Sequence, residues 1–79
     1  MEKDRFQTKD MYEAAFLYAR RLKLSKLERA GSSFWFVFES KRDAEKLSDS
    51  YWAREADVNA KAYADSIRTL KDMIFSRKV

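Results

Sequence analysis

Residues Ser33 to Phe38 read Ser-Phe-Trp-Phe-Val-Phe, and this run constrains the fold more than any other part of the chain. Aromatic and β-branched residues of this density favour a strand. In a strand, Phe34, Phe36 and Phe38 point one way while Trp35 and Val37 point the other. A sheet covered on one side alternates apolar with polar residues. Here both faces are apolar, so both ask for cover. A two-stranded hairpin is not stable alone, so helices must supply at least one cover. The other is supplied either by more helix or by a second copy of the chain or another protein. An isologous dimer would extend a two-stranded sheet to four strands.

The only glycine, Gly31, stands just ahead of this run. It suits a hairpin turn over Ala30-Gly31-Ser32 with a G1 bulge, where positive φ is needed. The partner strand is then Leu24 to Arg29, where Leu24 and Leu27 break the alternation and imply a bulge. Three helices flank the hairpin. The first is expected over Lys9 to Leu22, capped by Thr8. Its apolar stripe is Met11, Ala15, Tyr18 and Leu22, with Glu13 and Arg20 opposite. The second is capped by Ser40, with Asp43 at its third helical position, and carries Ala44, Leu47 and Tyr51 with Trp52 beside them. The third follows Asn59, and its stripe is Tyr63, Ile67, Leu70 and Ile74. Lys61, Asp65, Arg68 and Asp72 alternate in sign on its opposite side.

The expectation is an α+β fold in the order αββαα, one domain over residues 1–79 with a short lead-in at residues 1–7. Its core is expected to hold Met11, Ala15, Leu22, Phe36, Phe38, Leu47, Tyr51, Tyr63, Ile67, Leu70 and Ile74.

Phe6-x-Thr8-Lys9-Asp10, followed by Tyr12-x-Ala14-Ala15-x-Leu17, resembles the start of a small bacterial and phage family known as a domain of unknown function. The similarity continues through Phe36-Val37-Phe38-Glu39, Tyr51-Trp52 and Leu70-Lys71. It implies a fold of this order and no assigned activity, so no functional residue is carried over. One departure stands out: such domains often place a glycine between the first helix and the first strand, where this chain has Arg21 to Leu24.

Composition removes whole classes of chemistry. The 79 residues include no histidine and no cysteine. Disulfides, thiolate zinc sites and thiol redox reactions are therefore excluded, and the usual general base is missing. One glycine excludes a phosphate-cradling loop. The carboxylates Asp43, Glu45, Asp49 and Glu55 share a helix face with Lys41, Arg42, Lys46 and Arg54, which reads as a solvated surface rather than an acid–base pair. Their spacing is not that of a calcium loop. The chain is expected to be no enzyme, with no cofactor, no metal and no small-molecule substrate.

The first ten residues carry six charges, unlike a signal peptide. The longest uncharged stretch, Ala30 to Phe38, is nine residues, against about 20 for a membrane helix. These point to a cytoplasmic protein with no membrane partner.

Two surfaces remain as binding candidates. Protein contact, most simply self-association, would use Phe34, Trp35 and Val37 of the aromatic strand, Phe16 and Leu17 off the main stripe of the first helix, and Trp52. Nucleic acid would use the basic segment 20–29, whose Arg20, Arg21, Lys23, Lys26 and Arg29 outweigh Glu28 and match the net charge of +4 of the whole chain. The same cations also suit plainer roles. Arg20, Arg21 and Lys23 sit at or just past a helix C-terminus, and Lys26 and Arg29 discourage edge pairing of a strand.

Overall fold

The structure, a computed structural model, describes residues 4–78. The order is β1 (Phe6–Thr8), α1 (Met11–Ala19), β2 (Leu24–Ala30), β3 (Ser33–Phe38), α2 (Lys41–Trp52) and α3 (Ala60–Lys78). The fold is α+β, and its three helices and hairpin lie where the sequence places them. The lead-in is corrected. Residues 1–3 lie outside the described residues, but Phe6–Thr8 form a third strand. It pairs antiparallel with β3 through Phe6 opposite Phe38, Gln7 opposite Val37 and Thr8 opposite Phe36. The sheet order is β1-β3-β2, so β3 is central. This strand removes the difficulty of an isolated hairpin.

The β2–β3 hairpin closes on a two-residue loop, because Ala30 already pairs with Ser33. Gly31 has φ +64° and Ser32 does not share the sign, a type II′ pattern in place of the expected G1 bulge. The bulge in β2 is where Leu24 and Leu27 implied it, between Leu24 and Lys26.

Phe34, Phe36 and Phe38 join the core with Leu27 from β2 and the helices. Val37 is 2% exposed, yet it stands apart from that core, on the outer face between Gln7 and Lys26. Trp35 is half-buried on the same outer face. The helices thus cover one side of the sheet, and Val37 is buried on the other. Phe34 and Val37 are therefore not free for a partner.

The middle of helix α1 is buried on all sides. Glu13, Ala14, Ala15, Phe16 and Leu17 are consecutive and buried, and five residues at about 100° per step circle the axis. A helix buried all round belongs at the centre of a fold. Here it lies over the sheet with α2 and α3 against it. This overturns three expectations. Glu13 does not face solvent, and Phe16 and Leu17, at 1% and 0% exposure, are core rather than interface. The cap is Asp10, whose carboxylate accepts from the Glu13 amide at 2.8 Å, not Thr8, which lies in a strand.

Helix α1 stops at Ala19, short of Leu22. Arg21 adopts φ +72°, and its amide donates to the Tyr18 carbonyl at 3.0 Å while that of Leu22 donates to Leu17 at 3.1 Å. This is a Schellman ending, whose left-handed position is usually glycine. Helix α2 ends the same way: Arg54 has φ +63°, its amide donates to Tyr51, and Glu55 donates to Ser50. At the other end of α2, Ser40 is the N-cap residue but is left-handed, and its side chain makes no capping bond. Asn59 does cap α3, accepting from the Ala62 amide at 2.9 Å. Of the α3 stripe, Leu70 is fully buried, while Tyr63, Ile67 and Ile74 are partly buried against the core.

Candidate functional site

The residue that organises the helical side of the molecule is Glu13. It is the one charged position within the buried girdle of α1 and is 4% exposed. Burying a charge is costly unless it is well hydrogen-bonded. The Thr8 hydroxyl of β1 donates to Oε1 at 2.7 Å. The Ser48 hydroxyl and the Trp52 indole N–H, at 3.0 Å, both from α2, donate to Oε2. Thr8 Oγ1 in turn accepts from the Asp10 amide at 3.1 Å. Among the described residues no cation pairs with this carboxylate. Three neutral donors from two elements hold it, so one side chain fastens β1, α1 and α2 together. Sequence reasoning missed it by treating α1 as a surface helix. The available signal was the run Ala14-Ala15-Phe16-Leu17 directly after it, which leaves no solvent side.

Trp52 is 60% exposed. Its position is nonetheless set from within. The indole nitrogen is bound to Glu13, and the ring meets Tyr51 edge-on at 5.1 Å between centroids and 87°. Tyr51 reaches Phe16 at 5.6 Å. Burial, and next the neighbouring Tyr63 phenol, push the Tyr51 hydroxyl up to about 12. The Tyr63 hydroxyl donates to the Tyr12 carbonyl at 3.3 Å, and the Tyr12 ring is 53% exposed. A connected set of aromatics therefore runs from Tyr63 through Tyr51 to Trp52. On the Tyr51 side of this set lies an open groove of about 260 Å³ lined by Phe16, Tyr51, Arg54, Ala56, Val58 and Tyr63.

The basic segment does not gather into one surface. The Arg20 guanidinium donates to the Asp57 carbonyl at 2.9 Å and lies over the Phe16 ring. Arg21 forms the end of α1, and Lys23 follows it, exposed. Lys26 faces outward from the sheet beside Glu28, at 4.0 Å. Arg29 sits opposite Phe34 on the inner side and covers that ring at 5.2 Å. The extended strand also puts Arg29 about 20 Å from Lys23. Lys26 and Arg29 thus lie on opposite faces of the sheet.

No cluster of three or more metal-ligating side chains occurs among the described residues. No helix there is long and apolar enough to cross a membrane.

A family model described as a domain of unknown function (DUF5659) matches residues 3–76. No curated protein and no solved structure matches the chain.

Proposed function

We propose that this chain, which belongs to the DUF5659 family, is a non-enzymatic interaction module that self-associates through the aromatic surface around Trp52. The observation that carries the reading is a large apolar side chain that is both exposed and fixed. An exposed tryptophan ordinarily loses rotamer freedom when a partner immobilises it, which weakens association. The bond to Glu13 and the edge contact with Tyr51 impose that order in advance. Tryptophan is also enriched among the residues that dominate interface energetics.

A second copy is the partner that fits. A two-fold axis sets the same patch against itself. This patch holds a protruding ring and, next to it, an apolar groove of side-chain size. Two copies would seat each Trp52 in the other's groove. The non-enzymatic part of the reading rests on Glu13. It is the buried carboxylate with the best claim to acid–base work, and both of its oxygens are committed to hydrogen bonds.

Sedimentation equilibrium over a concentration series tests this. The parent chain is expected to dimerise, and Trp52→Ala to raise the dissociation constant by about thirtyfold, the size of a hot-spot loss. A parent chain that stays monomeric at high micromolar concentration overturns the proposal.

A further inference from the structure

The face of the sheet turned away from the helices has no part in the surface just described. From it we infer a second site: the outer face binds single-stranded nucleic acid, with Trp35 as the stacking platform and Arg5, Lys9 and Lys26 as phosphate contacts. Trp35 lies on the central strand, and its ring is half-buried. The Lys9 ammonium stands over it, 4.9 Å from the centroid. A ring face that an ammonium reaches from solvent is equally open to a planar base. An exposed cation–π contact is weaker than base–aromatic stacking, so a base displaces Lys9. The ammonium is then released beside the phosphate that the base brings with it.

The other cations lie on the same face. Arg5, next to β1, reaches across the sheet to the Ser25 hydroxyl of β2. Lys26 projects beside Val37, about half exposed. Glu28 and Glu39 also belong to this side, and Glu28 stands opposite Trp35 and close to Lys26. Three cations against two carboxylates give a modest attraction, strengthened by the +4 charge of the chain.

The geometry selects a single strand. Beside Trp35 the sheet is two strands wide, since β1 pairs only with Phe36–Phe38, and a ring offered there for stacking takes an unpaired base, whereas a duplex keeps its bases stacked on one another. Contacts to a ring face and to phosphates are common to DNA and RNA, so both bind. Of the basic segment 20–29, only Lys26 takes part.

Fluorescence anisotropy of labelled oligothymidylate and oligouridylate, titrated with the full chain at low salt, tests the inference. Binding of both is expected, weakening with salt at a logarithmic slope of about −2 for three phosphate contacts. Trp35→Ala is expected to weaken it about tenfold or more. Lys9→Glu, which leaves the ring in place, weakens it as well. Circular dichroism and thermal melting confirm that both variants fold. Trp52→Ala leaves strand binding unchanged, which separates this site from the dimer surface. No binding of either strand at high micromolar protein refutes the inference. So does parent-like affinity in both folded variants, or equal affinity for a duplex of the same length.

Discussion

Replacing Arg21 once by glycine and once by alanine isolates the backbone strain at the end of α1. Arg21 and Arg54 both hold φ above +60°, where a side chain crowds the following carbonyl at a cost of about 1–2 kcal/mol. Glycine removes that cost but carries more freedom into the unfolded chain, which returns about 0.5–1 kcal/mol. The glycine variant should therefore be more stable than the alanine variant by about 0.5–1 kcal/mol at each site. Both variants lose the guanidinium and its attraction to the helix C-terminus, so that contribution cancels in the comparison. The two sites end different helices, and their effects should add. The doubly glycine-substituted chain should then exceed the doubly alanine-substituted one by about 1–2 kcal/mol. In a domain of this size each kcal/mol moves the melting temperature by about 4–8 °C.

Urea and thermal unfolding followed by circular dichroism measure the difference. Two controls set the sign. Ala64→Gly, at an exposed position within α3, should lose about 1 kcal/mol, the ordinary helix penalty. Gly31→Ala, at φ +64° and with no atom within 4 Å of the added methyl, should lose about 0.5–1 kcal/mol by the same balance of backbone strain against unfolded-chain freedom. If glycine is no better than alanine at residues 21 and 54 while the controls behave, strain at these helix ends is not the operative quantity.

Two further perturbations probe the centre of the molecule. Glu13→Ala removes an acceptor shared by three donors and leaves the buried Thr8 hydroxyl without that partner. It should cost about 2–3 kcal/mol in urea unfolding, against less than about 1 kcal/mol for Trp52→Phe, which leaves the carboxylate its Thr8 and Ser48 donors. A cost below 1 kcal/mol for Glu13→Ala would mean that the carboxylate is not a fastening. Tyr51, pushed up to about 12 in the folded chain, titrates near 10 when unfolded. Its contribution is therefore intact below pH 10 and is lost as pH rises toward 12. The urea midpoint of the parent should fall across that window more steeply than that of Tyr51→Phe, and identical slopes would contradict it.

The hairpin, its bulge and the third helix were legible because each has a strong local signal: an aromatic run, a lone glycine, an Asn cap followed by a regular stripe. The first strand was not, because Phe6-Gln7-Thr8 is too short for alternation to register and is defined by its register with Phe36–Phe38. The helix ends at Arg21 and Arg54 were missed because arginine occupies a position that glycine usually marks. The absence of the family's glycine between the first helix and the next strand was the available clue. The interface candidates divided by tertiary context. Phe16, Leu17, Phe34 and Val37 are consumed by the fold, whereas Trp52 stays exposed and Trp35 partly so. No local pattern separates them, since the distinction depends on how the three helices pack against one another and on the sheet.

Glu13 joins the question of stability to that of function. A surface ring gains rigidity only from what holds it, and Trp52 is held by a carboxylate that also binds Thr8 and Ser48. The order of the exposed indole is thus inherited from the core packing of α1. Loosening the network should release Trp52 before it unfolds the chain, because the Trp52 bond lies at the solvent edge while Thr8 is buried. Trp35 has no such tether: its cover is a flexible lysine rather than a buried hydrogen bond. The helical face accordingly presents a fixed aromatic suited to one defined partner geometry. The sheet face presents one that exchanges its cover, which suits a ligand of variable sequence.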